Sequence, residues 1–218
     1  MKKILLFAII GIFLVSFAFA DEIIIDDFER SSLDHYSGNT GRFTIDNCGV
    51  HGSKCLKSTM QDTSNPRIYS MSGLDYYPKA GDDFVSYGKS ENIGNTILSL
   101  CFFVQDQNNY GYCVQINGRD NNLRLRKSAS NLDIHDGINW QNNQWYKVVV
   151  NTTTTGNITA SVYEYGSETE FAKVSAIDST FKSGGIAFVQ SPYADTSDHD
   201  YFDFAHATSI HLPLSSSF

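Results

Sequence analysis

The sequence predicts an all-β protein, a sandwich or barrel of short antiparallel strands. Apolar residues alternate with polar ones at period two in segment after segment, and no long stretch carries a helical period. The chain is rich in Thr, Ser, Asn, Gly, Tyr and Phe, and turn clusters such as "NTG", "VHGS", "NGRDNN", "TTTTGN" and "SGG" punctuate the segments at short intervals.

The N-terminus reads differently. Lys2 and Lys3 precede an apolar run from Ile4 to Phe17, and Ala18-Phe19-Ala20 has the small-x-small form of a cleavage site. Residues 1–20 therefore read as a secretory signal peptide, with a retained anchor as the alternative. The run is short of the roughly 20 residues a spanning helix needs. Residues 21–209 follow as one domain. Its candidate strands begin with Ile23–Phe28, Arg42–Asp46, Cys55–Met60, Arg67–Ser70 and Asp83–Tyr87. Ile97–Gln105, Tyr110–Asn117 and Leu123–Lys127 come next, joined by polar turns. Trp145–Asn151 and Ile158–Tyr165 flank "TTTTGN", and Gly185–Val189 and Tyr201–His206 complete the set. Residues 210–218 form a short tail whose serine run offers little to bury.

The central strands fix a register. In Ile97–Gln105 the even positions Leu98, Leu100, Phe102 and Val104 are all large and apolar, and so face the core. In the next strand Tyr112, Val114 and Ile116 form the matching row. Cys101 and Cys113 then share the opposite face, and a hairpin centred on Gln107 sets them directly across from each other. Directly opposed Cβ atoms lie about 4.5–5.5 Å apart, close to disulfide range. Cys48 and Cys55 flank the turn "GVHGSK", and Cys55 has the opposite parity to Leu56, Ser58 and Met60. The pairs Cys48–Cys55 and Cys101–Cys113 follow. Export permits disulfides, while no C-x-x-C and no His/Cys cluster supports redox or zinc chemistry.

The formal charge is −8, and loss of Lys2 and Lys3 makes it more negative by two. That argues against nucleic acid and anionic membrane as partners.

Several segments together carry a resemblance. "IIIDDFERSSLDHYSGNTGRFTI", "VHGSKCLKS", "NNQWYKVVVNTTTTGNITASVYEYGSE", "IDSTFKSGGIAFV" and "YFDFAHA" resemble, in order and spacing, the conserved segments of the concanavalin A-like, laminin G-like jelly-roll superfamily. The resemblance implies two antiparallel sheets, one concave, with glycans bound on or beside the concave face. It also matches Trp145 to the superfamily's core tryptophan, and implies in some members a structural calcium between first and last strands.

Three chemistries are open. Glucanases of the superfamily carry E-x-D-x-E on one strand, the two outer carboxylates acting as nucleophile and acid/base. This chain has no such triplet, only "SETE" (Ser167–Glu170) and "DHDYFD" (Asp198–Asp203), so a hydrolase is the less favoured reading. Calcium wants six to eight oxygens. Asp27 and Glu29 at the end of the first strand and Asp203 in the last are the candidate set, with Asp195, Asp198 and Asp200 as a second acidic cluster. Carbohydrate binding needs aromatic faces beside planar polar groups. Extending the register puts Gln115 across from Arg124 and Cys113 across from Arg126. Phe103, Gln115, Asn117, Arg124 and Arg126 then share one non-core face, and the loop aromatics Trp140 and Tyr110 are further stacking candidates, as are Tyr36, Tyr76, Tyr77 and Tyr193. Asn151 and Asn157 head two glycosylation sequons. The expected function is a secreted or cell-surface, lectin-like carbohydrate-binding domain whose partner is a glycan or cell-surface polysaccharide. An adhesion or structural protein using the same sandwich is the alternative.

Overall fold

The computed structural model describes residues 22–59, 65–191 and 198–209. The signal-peptide and tail expectations, with Met60, Tyr193 and Asp195, lie outside these. Among the described residues, fifteen strands form two antiparallel sheets. The strands are β1 (Glu22–Asp26), β2 (Ser37–Gly38), β3 (Phe43–Asp46), β4 (Cys55–Ser58), β5 (Arg67–Ser70), β6 (Asp82–Ser90), β7 (Ile97–Val104), β8 (Tyr112–Asn117), β9 (Asn122–Lys127), β10 (Ser130–Asp136), β11 (Tyr146–Thr152), β12 (Asn157–Glu164), β13 (Glu170–Ile177), β14 (Gly185–Gln190) and β15 (Asp200–Ser209). Sheet A has the order β13-β12-β11-β6-β15-β4-β3, with β1 also on β15; sheet B runs β10-β9-β8-β7-β14-β5-β2. Among the described residues helix is confined to single 3₁₀ turns at Thr40–Arg42 and Ile93–Asn95.

The core lies between the sheets and is built by alternation. Leu98, Leu100, Val114, Ile116, Leu123, Leu125 and Phe188 of sheet B face Leu56, Phe84, Tyr146, Val148, Val150, Val162 and Phe202 of sheet A, all buried. Each such side chain withdrawn from water contributes about 1.5–3 kcal/mol. The expected registers are present: Cys101 faces Cys113, Cys113 faces Arg126, and Gln115 faces Arg124. Both local disulfides are formed.

The alternation breaks at one place. Phe103 has φ +54°, and the pairing of β14 with β7 slips between Gly185 and Ile186. This is a bulge, and it reverses the facing of every later side chain in the strand. Phe103, expected on the outer face, is 1% exposed and packs edge-on against Phe102 and Tyr112. Val104, expected in the core, instead joins Cys101, Cys113 and Ala187 on the outer face. Positive φ is costly for a bulky residue, and glycines on either side make room. A Cβ on Gly111 would stand 2.1 Å from the Phe103 carbonyl oxygen, and one on Gly184 would stand 2.5 Å from that of Val104.

β10 and β13 were not expected as strands. They are edge strands of opposite sheets and meet along one side of the sandwich. Asp133 of β10 accepts the Ser175 amide of β13 at 2.8 Å, and the His135 ring reaches the Lys173 backbone. Side chains thus occupy polar groups that an open edge would present to another chain.

Candidate functional site

Each sheet turns one face to solvent, and each of those faces carries a disulfide. On sheet B, Cys101–Cys113 ties β7 to β8 within the plane of the sheet and forms the floor of a cleft of about 200 Å³. Ser99, Gln115 and Val189 continue the floor, Arg126 and Ser128 stand on one side, and Tyr110, Arg67 and Asn65 on the other. Ser99 and Gln115 are buried although they point away from the core, because the flanking side chains rise above them. Gln115 donates to Ser99 Oγ at 3.0 Å, which fixes its amide with Oε1 towards Arg126. The Arg126 guanidinium also donates to the Ala129 carbonyl and makes no ion pair among the described residues. Burial, with the Arg124 guanidinium nearby, pushes its pKa below the ordinary value, but an arginine stays charged. On the opposite wall the Arg67 guanidinium lies 5.0 Å from the Tyr110 ring centre, and the Tyr110 hydroxyl donates to the Gln107 carbonyl at 2.8 Å. The cleft therefore offers a fixed amide, an uncompensated guanidinium and a braced aromatic ring.

The remaining sequence candidates fall elsewhere. Asn117 and Arg124 share the outer face but serve the β8–β9 turn. Asn117 Oδ1 accepts the Asp120 amide, its Nδ2 donates to the Asp120 carboxylate, and Arg124 pairs with that carboxylate at 2.6 Å. Phe103 is in the core because of the bulge. Trp140, expected as an exposed loop aromatic, is 6% exposed and stands edge-on to Tyr146 at 5.0 Å. Trp145, read as the core tryptophan, is the one that faces outward, on sheet A. Parity gives the reason: Tyr146, Val148 and Val150 are the inward row of β11, so Trp145 must point out. Tyr36 is buried and donates to Asp26 at 2.9 Å, and Tyr76 and Tyr77 are partly buried against the core. Arg67 and Asn65 were missed, and nothing in their local sequence marks them.

On sheet A the second disulfide does other work. Cys48–Cys55 closes a loop that folds over the middle of the outer face. Asp203, 0% exposed, accepts the amides of Val50 (2.5 Å) and His51 (2.9 Å) through one carboxylate oxygen. His51 Nε2 meets the Tyr87 hydroxyl at 2.7 Å, and the Tyr165 hydroxyl donates to the Val50 carbonyl. Glu29 accepts the amides of Ser53 (2.6 Å) and Lys54 (2.9 Å), which hold its carboxyl below its usual pKa. Asp27 accepts the Glu29 amide. The residues expected to hold calcium do not gather into a carboxylate cluster. Among the described residues no three His, Cys, Asp or Glu side chains assemble into a possible metal site, and one oxygen each of Glu29 and Asp203 already accepts two loop amides.

The catalytic segments also separate. Asp200 points inward beneath Thr96, which donates to it at 2.7 Å, whereas Asp203 points outward. Glu170 accepts from Ser161 at the sheet A edge. A wider depression of about 310 Å³ lies at the β12–β13 tip but is lined only by short neutral side chains and aliphatic ones.

No protein-family model matches the chain, and no curated protein sequence matches it. Solved structures do. The carbohydrate binding module CBM66 from Bacillus subtilis superposes with a TM-score of 0.53 at 13% identity, over 78% of this chain and 91% of that one. The VIP36 exoplasmic/lumenal domain in its Ca2+/Man-bound form gives 0.60 at 10% identity, over 89% and 91%. This chain has the concanavalin A-like jelly-roll fold. A Shewanella oneidensis MR-1 protein of unknown function shares the concanavalin A-like architecture at 0.54 and 12% identity, over 88% of both chains. VIP36 is also known in a metal-free form, at a TM-score of 0.58 and 10% identity.

Proposed function

We propose that this protein is a secreted carbohydrate-binding domain whose sheet B cleft takes a terminal sugar carrying an acidic group. The observation that carries this reading is Arg126, held beside Gln115 over a polar floor with no carboxylate partner among the described residues. Its charge suits a sugar carboxylate, Gln115 and Ser99 suit hydroxyls, and the Tyr110 ring suits the apolar face of a pyranose. A cleft of this volume suits one sugar rather than a chain. The carbohydrate binding module and VIP36 likenesses support the reading at the level of fold. The two disulfides and the apolar N-terminal run support export.

A glycan array, run with and without calcium, tests it. Binding to acidic termini is expected in both conditions. Arg126→Ala should weaken it about tenfold or more, since hydrogen bonds to charged groups contribute roughly 1.5–3 kcal/mol. Affinity unchanged in Arg126→Ala and in Gln115→Ala would move the site elsewhere. Absence of any binding by the wild type would favour an adhesion or structural role.

A further inference from the structure

The outer face of sheet A carries a second feature that neither the cleft nor the core uses. One cross-strand ladder runs in register over five strands. The Tyr165 amide bonds the Trp145 carbonyl at 2.8 Å, Trp145 precedes the Tyr146–Gly88 pair and so lies beside Lys89, Lys89 faces Tyr201, and Tyr201 faces Lys57. The ladder thus reads aromatic, aromatic, cation, aromatic, cation along a line perpendicular to the strands, each step about 4.8 Å. Lys89 Nζ sits 4.1 Å from the Tyr201 ring centre and 5.1 Å from that of Trp145, and Lys57 approaches Tyr201 from the other side at 5.8 Å. The Trp145 and Tyr201 rings stand 6.3 Å apart.

Two features distinguish this row from ordinary surface packing. Lys57 pairs with Asp46 at 3.2 Å, and the Tyr201 hydroxyl is tied to Glu91, but Lys89 makes no ion pair among the described residues. Its ammonium is partly desolvated between two rings, which pushes its pKa below the ordinary lysine value. An anion arriving there would offset that cost. The second feature is a wall. The next ladder along the strands contains Tyr87 and Asp203 and is covered by the Cys48–Cys55 loop, whose Val50 packs in the same cluster as Trp145. The row is therefore bounded on one flank; Tyr165 is exposed and Trp145, Lys89 and Lys57 are partly so, while the two lysines cover the buried Tyr201 ring.

We propose that this row is a second glycan site, one that takes the interior of an extended polyuronate chain rather than a chain end. Each uronate unit presents an apolar ring face and one carboxylate, the two things that the Tyr165 and Trp145 rings and the Lys89 and Lys57 ammonium groups accept. Its single charge per sugar suits the two lysines of the row, Lys57 and Lys89, on an otherwise acidic protein. The two sites lie on opposite sheets, so one molecule could bridge two chains. The inference stands on residues separate from those of the cleft.

The test uses the full chain carrying Arg126→Ala, so that the cleft reading is measured apart: it fails if this variant keeps its affinity for acidic chain-end oligosaccharides. In native gels containing polygalacturonate, this protein should still be retarded. Lys57→Gln with Lys89→Gln should reduce the retardation about tenfold, as loss of charge-assisted contacts predicts. Hydroxyethyl cellulose, which is neutral, should retard it far less. Polygalacturonate should also change the tryptophan fluorescence, and Trp145→Phe should remove that change while leaving the buried Trp140 signal. Undiminished retardation in the double lysine variant, with an unaltered melting temperature, would overturn the proposal. So would equal retardation by the neutral polymer, or no retardation at all.

Discussion

The two solvent-side faces use the same covalent device for opposite ends. On sheet B the disulfide joins directly opposed residues of adjacent strands, with Cα atoms 4.0 Å apart, and so lies flat. The face above it stays open as a cleft. On sheet A the bridge joins β4 to the loop before it, and Asp203 and Glu29 pull that loop down across the sheet. The difference teaches that a buried carboxylate on an outward face has two possible employments. It can wait for a ligand, or it can satisfy backbone amides that would otherwise be buried without partners. Asp203 does the second. The guanidinium of Arg126 has no such anionic partner among the described residues.

The largest effect should come from breaking the sheet A arrangement. Asp203→Ala removes two charge-assisted bonds and leaves the Val50 and His51 amides unpaired, a loss of about 3–5 kcal/mol. For a domain of this size each kcal/mol is worth about 2–4 °C, so the melting temperature should fall by roughly 10 °C. Hydrogen exchange at those two amides should rise with it. Chelator should leave the wild-type melting temperature unchanged; a fall on chelation would restore the calcium reading of Asp203.

Removing the flat bridge should cost less. Cys101→Ala with Cys113→Ala opens a short loop, worth about 2–3 kcal/mol in the chain-entropy account. The pairing of β7 with β8 should survive, because Leu98, Leu100, Val114 and Ile116 still set the register from the core side. Urea unfolding and cross-strand amide contacts by NMR would show both. Loss of register in the reduced variant would mean that the bridge, and not the apolar row, specifies the pairing.

What the sequence revealed, and what it hid, follows the same line. The β7–β8–β9 registers were legible because two-residue alternation is unbroken from Leu98 to Phe102 and from Tyr112 to Leu125. The Phe103 bulge was not, because a positive φ at phenylalanine has no local signature; its only trace is the glycines at 111 and 184. Trp140 and Trp145 were exchanged because "VVV" hides which valines face inward, and only the inward Tyr146 settles it. β10 was passed over because Asp133 and His135 look like loop residues until their β13 partners are known. The cleft was half legible. Gln115, Arg126 and Tyr110 were in view, whereas Arg67 and Asn65 arrive from a strand distant in sequence.

A group that belongs to neither face provides a control for stability effects. Asp200 is buried beside Ser90, Thr96 and Gln190, and burial pushes its pKa up to about 6. The folded state therefore binds a proton more tightly than the unfolded chain, whose aspartate titrates near 3.9. The stabilisation is complete below about pH 4 and is lost as pH rises through about 6, a change of roughly 3 kcal/mol. Asp26 is shifted in the same direction by burial. Urea midpoints between pH 4 and 7 should fall with rising pH in the wild type and be flatter in Asp200→Asn. An equally steep fall in the variant would place the titration elsewhere.

The smallest effect distinguishes the two arginines of sheet B. Arg124 and Arg126 are neighbours on one face and alike in sequence context, but only Arg124 has an acidic partner, Asp120. Asp120 is exposed and Arg124 partly so, and ion pairs at the surface are worth about 0.2–1 kcal/mol. Arg124→Ala should therefore change stability by less than about 1 kcal/mol, and should weaken binding of an acidic sugar by no more than a few-fold, far less than Arg126→Ala. Asp120→Asn sharpens the point. It frees the Arg124 guanidinium and leaves two uncompensated cations beside the cleft, so affinity for an acidic glycan should rise slightly at low salt and the gain should fade as salt screens it. Measured by titration calorimetry at two ionic strengths, a loss of affinity in Asp120→Asn would show that the Asn117–Asp120–Arg124 cluster shapes the cleft through the β8–β9 turn rather than through charge.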